Sequence, residues 1–275
     1  MDDKFFSHRD SATRSDADHT SHAMKTRIDK LMVQRGLVPS RERAQALLLA
    51  GRVLVNEQKV EKAGAAVESD CEIRLLGDDL RYVSRGGVKL EAALEHWRIN
   101  LSGRSCLDIG TSTGGFVDCM LQHGAAEVIA VDTGRGQIAA KLRSDARVRL
   151  LEDTNARHLT AEQLRNSGAE HPITFLAADV SFISVTLILP AVLAAVAELS
   201  GAAKRELVVL IKPQFEAGRE AVGKGGIVRD ESARQAAIAR VRGAVESLGG
   251  IKLEVIDSPI TGAEGNREYL LHAEL

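Results

Sequence analysis

From about residue 105 onward, short and nearly continuous apolar runs alternate with segments whose apolar positions recur every three or four residues. The continuous runs predict strands over 105–109, 127–132, 148–152, 173–179, 206–212, 251–257 and 268–274. The recurring pattern predicts helices near 116–123, 134–142, 161–167, 184–199 and 230–248. Strands that alternate with helices imply βαβ units, hence an α/β domain on a seven-stranded, mostly parallel sheet. The last two strands are joined only by residues 259–267, too short for a helical crossover, so that pair is expected to be antiparallel.

Before this domain the pattern is finer. Ile28, Leu31 and Met32 share one helical face, and Gly36 ends that helix. Ser40 is placed to cap a second helix over 41–50, which Gly51 closes. Residues 53–60 read as a hairpin turning at Asn56 to Lys59, and 71–76 as a closing strand. Gly77-Asp78-Asp79 is a polar link; Gly86-Gly87 then gives a flexible approach to a helix over 88–97, with Trp97 as a core residue. The division expected is a small α+β domain over 24–83 and a large one over 84–275, with 84–87 as linker. Residues 1–23 have almost nothing to bury and read as a disordered tail, with Met24 an alternative start. His8, His19 and His22 belong to that solvated tail rather than to a metal site, and no metal is expected elsewhere.

The composition, 44% hydrophobic and 27% charged over 275 residues, is that of a soluble globular protein. Charge adds something the total of −2 hides. Residues 25–62 hold nine Lys or Arg against four Asp or Glu, so a locally basic face sits on an otherwise acidic chain. That asymmetry points to a phosphate backbone as partner, met by Arg27, Lys30, Arg35, Arg41, Arg43 and Arg52. Cys71, Cys106 and Cys119 form no even framework and no C-x-x-C pair, which suits reduced packing residues in a cytoplasmic protein. The tail has no apolar leader, and the most apolar run, 187–197, is about half a bilayer span and contains Pro190; no membrane partner is expected.

The stretch with most chemistry is Ser105-Cys106-Leu107-Asp108-Ile109-Gly110-Thr111-Ser112-Thr113-Gly114-Gly115-Phe116. A strand enters, a helix leaves, and three glycines between them let a ligand approach bare backbone at the carboxyl end of the sheet. The spacing G-x-x-x-G-G is neither the dinucleotide G-x-G-x-x-G nor a phosphate loop. Asp108 would repel a pyrophosphate and attract an ammonium or sulfonium, which favours S-adenosyl-L-methionine, held at Asp108, Gly110, Ser112, Thr113, Gly114, Gly115 and Phe116. Asp132 ends the second strand, where an acid meets ribose hydroxyls in nucleotide-binding sheets. Asp153 and Asn155 follow the third strand, where an adenine edge is met.

Asp179 ends the fourth strand without the Asn/Asp-Pro-Pro-aromatic turn of amine methyltransferases, and no cysteine has the proline-flanked setting of a pyrimidine C5 nucleophile. What remains is an acid beside a cation. Lys212 ends the Val/Leu/Ile run 207–211 and is fixed by Pro213; a lysine there needs a partner. Lys89 supplies a second cation and Glu268 a second acid. The loop 218–229, with Arg219, Lys224 and Arg229 among glycines, suits closure over RNA.

Two resemblances follow from these residues. Arg27-Ile28-Asp29-Lys30-Leu31, Ser40-Arg41-x-x-Ala44 and Ala50-Gly51-Arg52-Val53-x-Val55-Asn56 resemble the S4-like RNA-binding domain. Lys89, Asp179, Lys212 and Glu268 fall in the order of the Lys-Asp-Lys-Glu set of FtsJ-like ribose 2′-O-methyltransferases. Ser84 to Leu90, Asp108 to Phe116, Asp179 to Ser184, Ile211 to Glu216 and Gly223 to Arg229 resemble the TlyA family, which joins the two domains and whose members are also labelled hemolysins. The resemblance implies a Rossmann-like methyltransferase acting on ribosomal RNA or ribosomal subunits, with cytidine 2′-hydroxyls as acceptors, Lys89, Asp179, Lys212 and Glu268 as catalytic set, and no obligate protein partner. The rival readings are a ribosome assembly factor with an idle methyltransferase site, and a cytotoxin, for which no insertion segment or barrel pattern is present.

Overall fold

The computed structural model describes residues 25–38, 40–76, 81–201, 203–262 and 264–275. The expected tail with its histidines, the alternative start at Met24 and the link Gly77-Asp78-Asp79 lie outside the described residues. Contacts divide the chain into one unit ending at Asp79 and another beginning at Leu80.

The first unit runs β1 (Lys25–Arg27), α1 (Ile28–Gln34), α2 (Arg41–Leu49), β2 (Val53–Val55), β3 (Gln58–Lys59), β4 (Ala66–Glu68) and β5 (Ile73–Leu75). The Ser40 hydroxyl accepts the Arg43 backbone N–H and caps α2, as its sequence position implies. Asn56 and Glu57, both left-handed, form the hairpin turn between β2 and β3. Pairing of β1 with β4 has no counterpart in the sequence reading: each strand is three residues long, and the partners lie some forty residues apart. Ile28, Met32, Ala44, Leu48 and Val53 make the small core.

The second unit runs α3 (Gly86–His96), β6 (Ser105–Ile109), α4 (Gly115–Gln122), β7 (Glu127–Val131), α5 (Ala140–Arg143), β8 (Val148–Leu151), α6 (Ala161–Asn166), β9 (Ile173–Ala178), α7 (Leu189–Ser200), β10 (Glu206–Ile211), α8 (Pro213–Glu216), α9 (Glu231–Ser247), β11 (Ile251–Asp257) and β12 (Tyr269–Glu274). Its seven strands are ordered β11-β12-β10-β9-β6-β7-β8. The five from β10 to β8 are parallel, and β12 is antiparallel to both its neighbours, the expected architecture. Alternate strand residues feed two cores: Leu107, Ile109 and Ile129 pack with α6, α7 and α9, while Cys106, Val128 and Phe175 pack with α3 and α4. The order reverses between β6 and β9, which opens a crevice at their carboxyl ends.

Four expectations are corrected. Strands expected to end at Asp132, Glu152, Asp179 and Lys212 each stop one residue earlier, so the charged residue begins the loop at the carboxyl edge. The helix expected over 134–142 is only α5: Gly136 is left-handed, and the carboxylates of Asp132 and Glu152 capture the N–H groups of Gly134 and Gly136. The helix expected from 184 begins as a 3-10 turn over Val185–Leu187, and α7 starts at Leu189 because Pro190 suits only a first turn. Gly86 and Gly87 are not a flexible approach but the first turn of α3. A Cβ on Gly87 would lie 2.2 Å from Cγ of buried Tyr82, so the residue is small in order to pack. Trp97 is half-buried, with its ring stacked on His272 at 5.1 Å and Nε1 donating to Glu254.

Candidate active site

A cavity of about 510 Å³ opens over the carboxyl ends of β6, β7 and β9. Four loops line it: Gly110 and Ser112, Asp132 to Gly134, Thr154 to Ala156, and Asp179 to Ile183. Gly110 is at φ +87°, and a Cβ there would stand 2.4 Å from the Asp179 carbonyl oxygen. The glycine therefore lets the β6 and β9 turns touch backbone to backbone. Asp132 ties the walls together, accepting from Ser112 N–H at 2.7 Å through Oδ2 and from Gly134 N–H at 2.6 Å through Oδ1.

Asp108 lies fully buried in β6, two residues before Gly110 and behind the cavity wall rather than on it, and its carboxylate has no cation beside it among the described residues, the Thr111 hydroxyl being its nearest polar neighbour. Burial pushes its carboxyl up to about 7; the Thr111 hydroxyl opposes the rise, and the neighbouring Asp179 and Asp132 charges add to it. A buried carboxylate without a cation, directly behind the wall residues Ile109 and Gly110, is what a nearby cationic ligand offsets, so the residues present fit a sulfonium or ammonium group.

Not every expected contact reaches the cavity. Asn155 lines it, with Oδ1 accepting from Arg157 N–H, whereas Asp153 does not: it is exposed, left-handed and 3.8 Å from Arg135. Thr113, Gly114, Gly115 and Phe116 are also absent from its walls. Gly114 packs against Ile138 and Leu142, Gly115 against Ser84 and Gly86, and Phe116 is in the core with α3. They build the start of α4 rather than the wall.

The four expected catalytic residues meet as two ion pairs. Lys212 Nζ stands 2.6 Å from Asp179 Oδ1 and donates to Ser181 Oγ at 2.7 Å. Lys89 Nζ donates to Glu268 Oε2, and both residues are buried. The Lys89 charge is thus matched by Glu268. Ser181 and Phe182, to which the sequence reading gave no role, both line the cavity. Phe182 is 93% exposed at φ +66°, its ring tilted against Phe215 at 5.6 Å. In a chain only 3% aromatic, a phenylalanine three residues past a strand-end acid was the available signal.

The loop 218–229 is a built structure. Buried Asn266 donates to the Gly226 carbonyl and accepts from Val228 N–H, and Arg234 donates to the carbonyls of Val228 and Arg229. Lys224 is exposed on it.

In the first unit, buried Asp29 gathers basic side chains. Arg27 donates to both its oxygens, and Arg41 and Gln45 donate to Oδ2. Arg27 above all, with Arg41 and Gln45 adding, holds the Asp29 carboxyl well below the usual carboxylate range against the opposing effect of burial. Both guanidiniums stay about half exposed. Arg35 instead donates to the carbonyls of Ser69 and Cys71, a structural tie. Lys30 is exposed, and Arg43 and Arg52 are partly buried.

Comparison with known proteins places this geometry. A model described as FtsJ-like methyltransferase matches residues 82–275, and one described as S4 domain matches 26–73. A Mycobacterium tuberculosis protein named 16S/23S rRNA (cytidine-2'-O)-methyltransferase TlyA is 42% identical over 252 residues, covering 90% of each chain. Hemolysin A of Brachyspira hyodysenteriae is 41% identical over 246 residues, covering 90% of this chain and 98% of its own. A solved structure from Streptococcus thermophilus, described as a candidate hemolysin, superposes with a TM-score of 0.68 at 41% identity, covering 92% of this chain and 89% of that one.

Proposed function

This chain belongs to the TlyA family, an S4 domain joined to an FtsJ-like, S-adenosylmethionine-dependent methyltransferase, and from that premise we propose that it methylates a ribose 2′-hydroxyl of cytidine in ribosomal RNA. The observation that carries the reading is the Lys212–Asp179 ion pair, whose Asp179 lines the cavity, with the buried carboxylate of Asp108 one residue behind the wall residues Ile109 and Gly110.

When bound, S-adenosylmethionine supplies a methyl group made electrophilic by its sulfonium. The residues of this chain do the rest. Asp108 provides the negative charge that a cationic cofactor needs, Asp132 holds the turns around the nucleoside portion, and Gly110 keeps the floor free of side chain. Lys212, oriented by Asp179, takes the proton of the attacking hydroxyl as its neutral amine or steers the oxygen lone pair as its ammonium. The buried Lys89–Glu268 pair completes the catalytic set. The exposed Phe182 ring offers an apolar face to a nucleobase at the cavity mouth. Fixing the acceptor oxygen beside the methyl provides much of the acceleration.

The basic residues of the first unit, Arg27, Lys30, Arg41, Arg43 and Arg52, would meet the RNA backbone together with Lys224. Two of the relatives described above carry the hemolysin name; among the described residues no helix is long and apolar enough to cross a membrane. The intact pairing of all four catalytic side chains favours an active enzyme over an idle assembly factor.

The test is methyl transfer to 30S and 50S subunits from a strain lacking the protein, with the modified riboses mapped. Wild-type protein should methylate a cytidine ribose. Lys212→Ala should bind S-adenosylmethionine by calorimetry yet transfer no methyl; undiminished transfer by that variant would remove Lys212 from the mechanism.

A further inference from the structure

We propose that Ser181 is a positioning residue for Lys212: its hydroxyl takes the hydrogen bond that aims Nζ, while Asp179 holds the amine by charge. The inference rests on the functional reading above and deepens it.

A lysine nitrogen is bonded to Cε and has three further tetrahedral directions. Asp179 Oδ1 lies 2.6 Å from it and Ser181 Oγ 2.7 Å, two partners from one turn after β9. Only the Ser181 contact has hydrogen-bond geometry; Asp179 Oδ1 is an ion-pair partner that accepts no hydrogen bond among the described residues. With the ion pair alone, Nζ could rotate about Cε–Nζ; the Ser181 hydrogen bond stops that rotation. The chemical nature of the acceptor also suits the task. A hydroxyl directs an N–H without adding a second negative charge, which would hold the amine protonated. Ser181 is exposed at the cavity wall, so Nζ is held against a residue that a substrate can reach.

Both ends of this hydrogen bond belong to one braced assembly. Buried Glu216, in α8 just after Lys212, accepts from Val185 N–H at 2.7 Å and from the Ser184 hydroxyl. Phe215, also in α8, carries the tilted contact with Phe182. The turn bearing Ser181 is therefore pinned to the helix that follows Lys212, and Phe182 is held in a left-handed conformation within it.

The experiment uses the full chain and subunits from the deletion strain. Ser181→Ala should lower kcat on the order of tenfold, the rate equivalent of one neutral hydrogen bond. KM for the subunit and calorimetric affinity for S-adenosylmethionine should stay within twofold, and Ser181→Thr, which keeps the hydroxyl, should recover most of the rate. A crystal structure of Ser181→Ala should show Lys212 leaving its single rotamer. The inference is overturned by wild-type kcat in Ser181→Ala, by a loss that Thr does not restore, by a loss matched in cofactor affinity, or by an unmoved Nζ in the crystal. Were wild-type protein to leave both subunits unmethylated, the functional reading would fall, while the position of Nζ would still decide the part of Ser181.

Discussion

Replacing Asp108 by Asn removes a charge that the fold by itself does not satisfy. In the folded chain burial raises the carboxyl from 3.8 to about 7. At about 1.4 kcal/mol for each tenfold, that is on the order of 4 kcal/mol of strain when the group is ionised. The sign follows from proton counting. Below pH 4 folded and unfolded chains both hold the proton, and there is no penalty. Between pH 4 and 7 only the folded chain holds it, so stability falls as pH rises; above 7 the penalty is complete. Asn does not titrate, but its amide is equally unpartnered, which returns roughly 1–3 kcal/mol of the gain. Asp108→Asn should therefore raise the melting temperature of the cofactor-free protein by several degrees at pH 8, with an advantage that shrinks toward pH 5. Cofactor binding should move oppositely. The ionised carboxylate is the binding form, so wild-type affinity for S-adenosylmethionine should weaken up to about tenfold per pH unit below 7. The Asn variant should bind at least about tenfold more weakly at pH 8, with no dependence on pH between 6 and 8. Thermal unfolding and titration calorimetry across pH 5 to 9 measure both. A variant that melts lower at pH 8, or that binds cofactor like wild type, refutes the assignment of Asp108 as the cation's counter-charge.

The buried Lys89–Glu268 pair and the Asp29 cluster carry two further expectations. Lys89→Met leaves the Glu268 carboxylate buried without its cation and should cost about 3–5 kcal/mol of stability. The double variant Lys89→Met/Glu268→Leu should regain most of that while remaining inactive in methyl transfer; a double variant no more stable than the single would show that the pair is not what sets the loss. Asp29→Asn makes the first unit one charge more positive, and charge alone predicts tighter RNA binding. Because Asp29 orients two half-exposed arginines, affinity for ribosomal RNA should instead fall about fivefold, the scale of freeing two side chains; filter binding at fixed salt decides, and tighter binding rejects the orienting role.

What the sequence made legible was local. Strands buried on both faces read as unbroken apolar runs, and the first polar residue after each marks the edge of the sheet where chemistry occurs. Asp132, Asp179 and Lys212 were found that way, each beginning a loop one residue past its strand. Asp108 was legible for another reason, as an acid two residues before a glycine turn, and the structure finds it buried there with no cation beside it among the described residues. What could not be read depends on contacts between residues far apart in the chain. Glu216 pins a turn thirty-one residues away, and that brace, not the local sequence, fixes Ser181 and Phe182 where they are. The same holds for the segment after Asp132. Its apolar spacing permits a helix, but Glu152, sixteen residues on, takes the Gly136 N–H, and Asp132, two residues before it, takes the Gly134 N–H. Capture of backbone by distant carboxylates therefore separates what was missed from what was found. It also concentrates around the cavity, where Asp132, Glu152 and Glu216 each hold a loop that helical or strand pairing does not. A site built from loops needs such carboxylates to be rigid, and an acid placed to grip backbone is indistinguishable in sequence from one placed to grip a ligand. Asp153, expected at the adenine and found facing Arg135, is the case where that ambiguity resolved the other way.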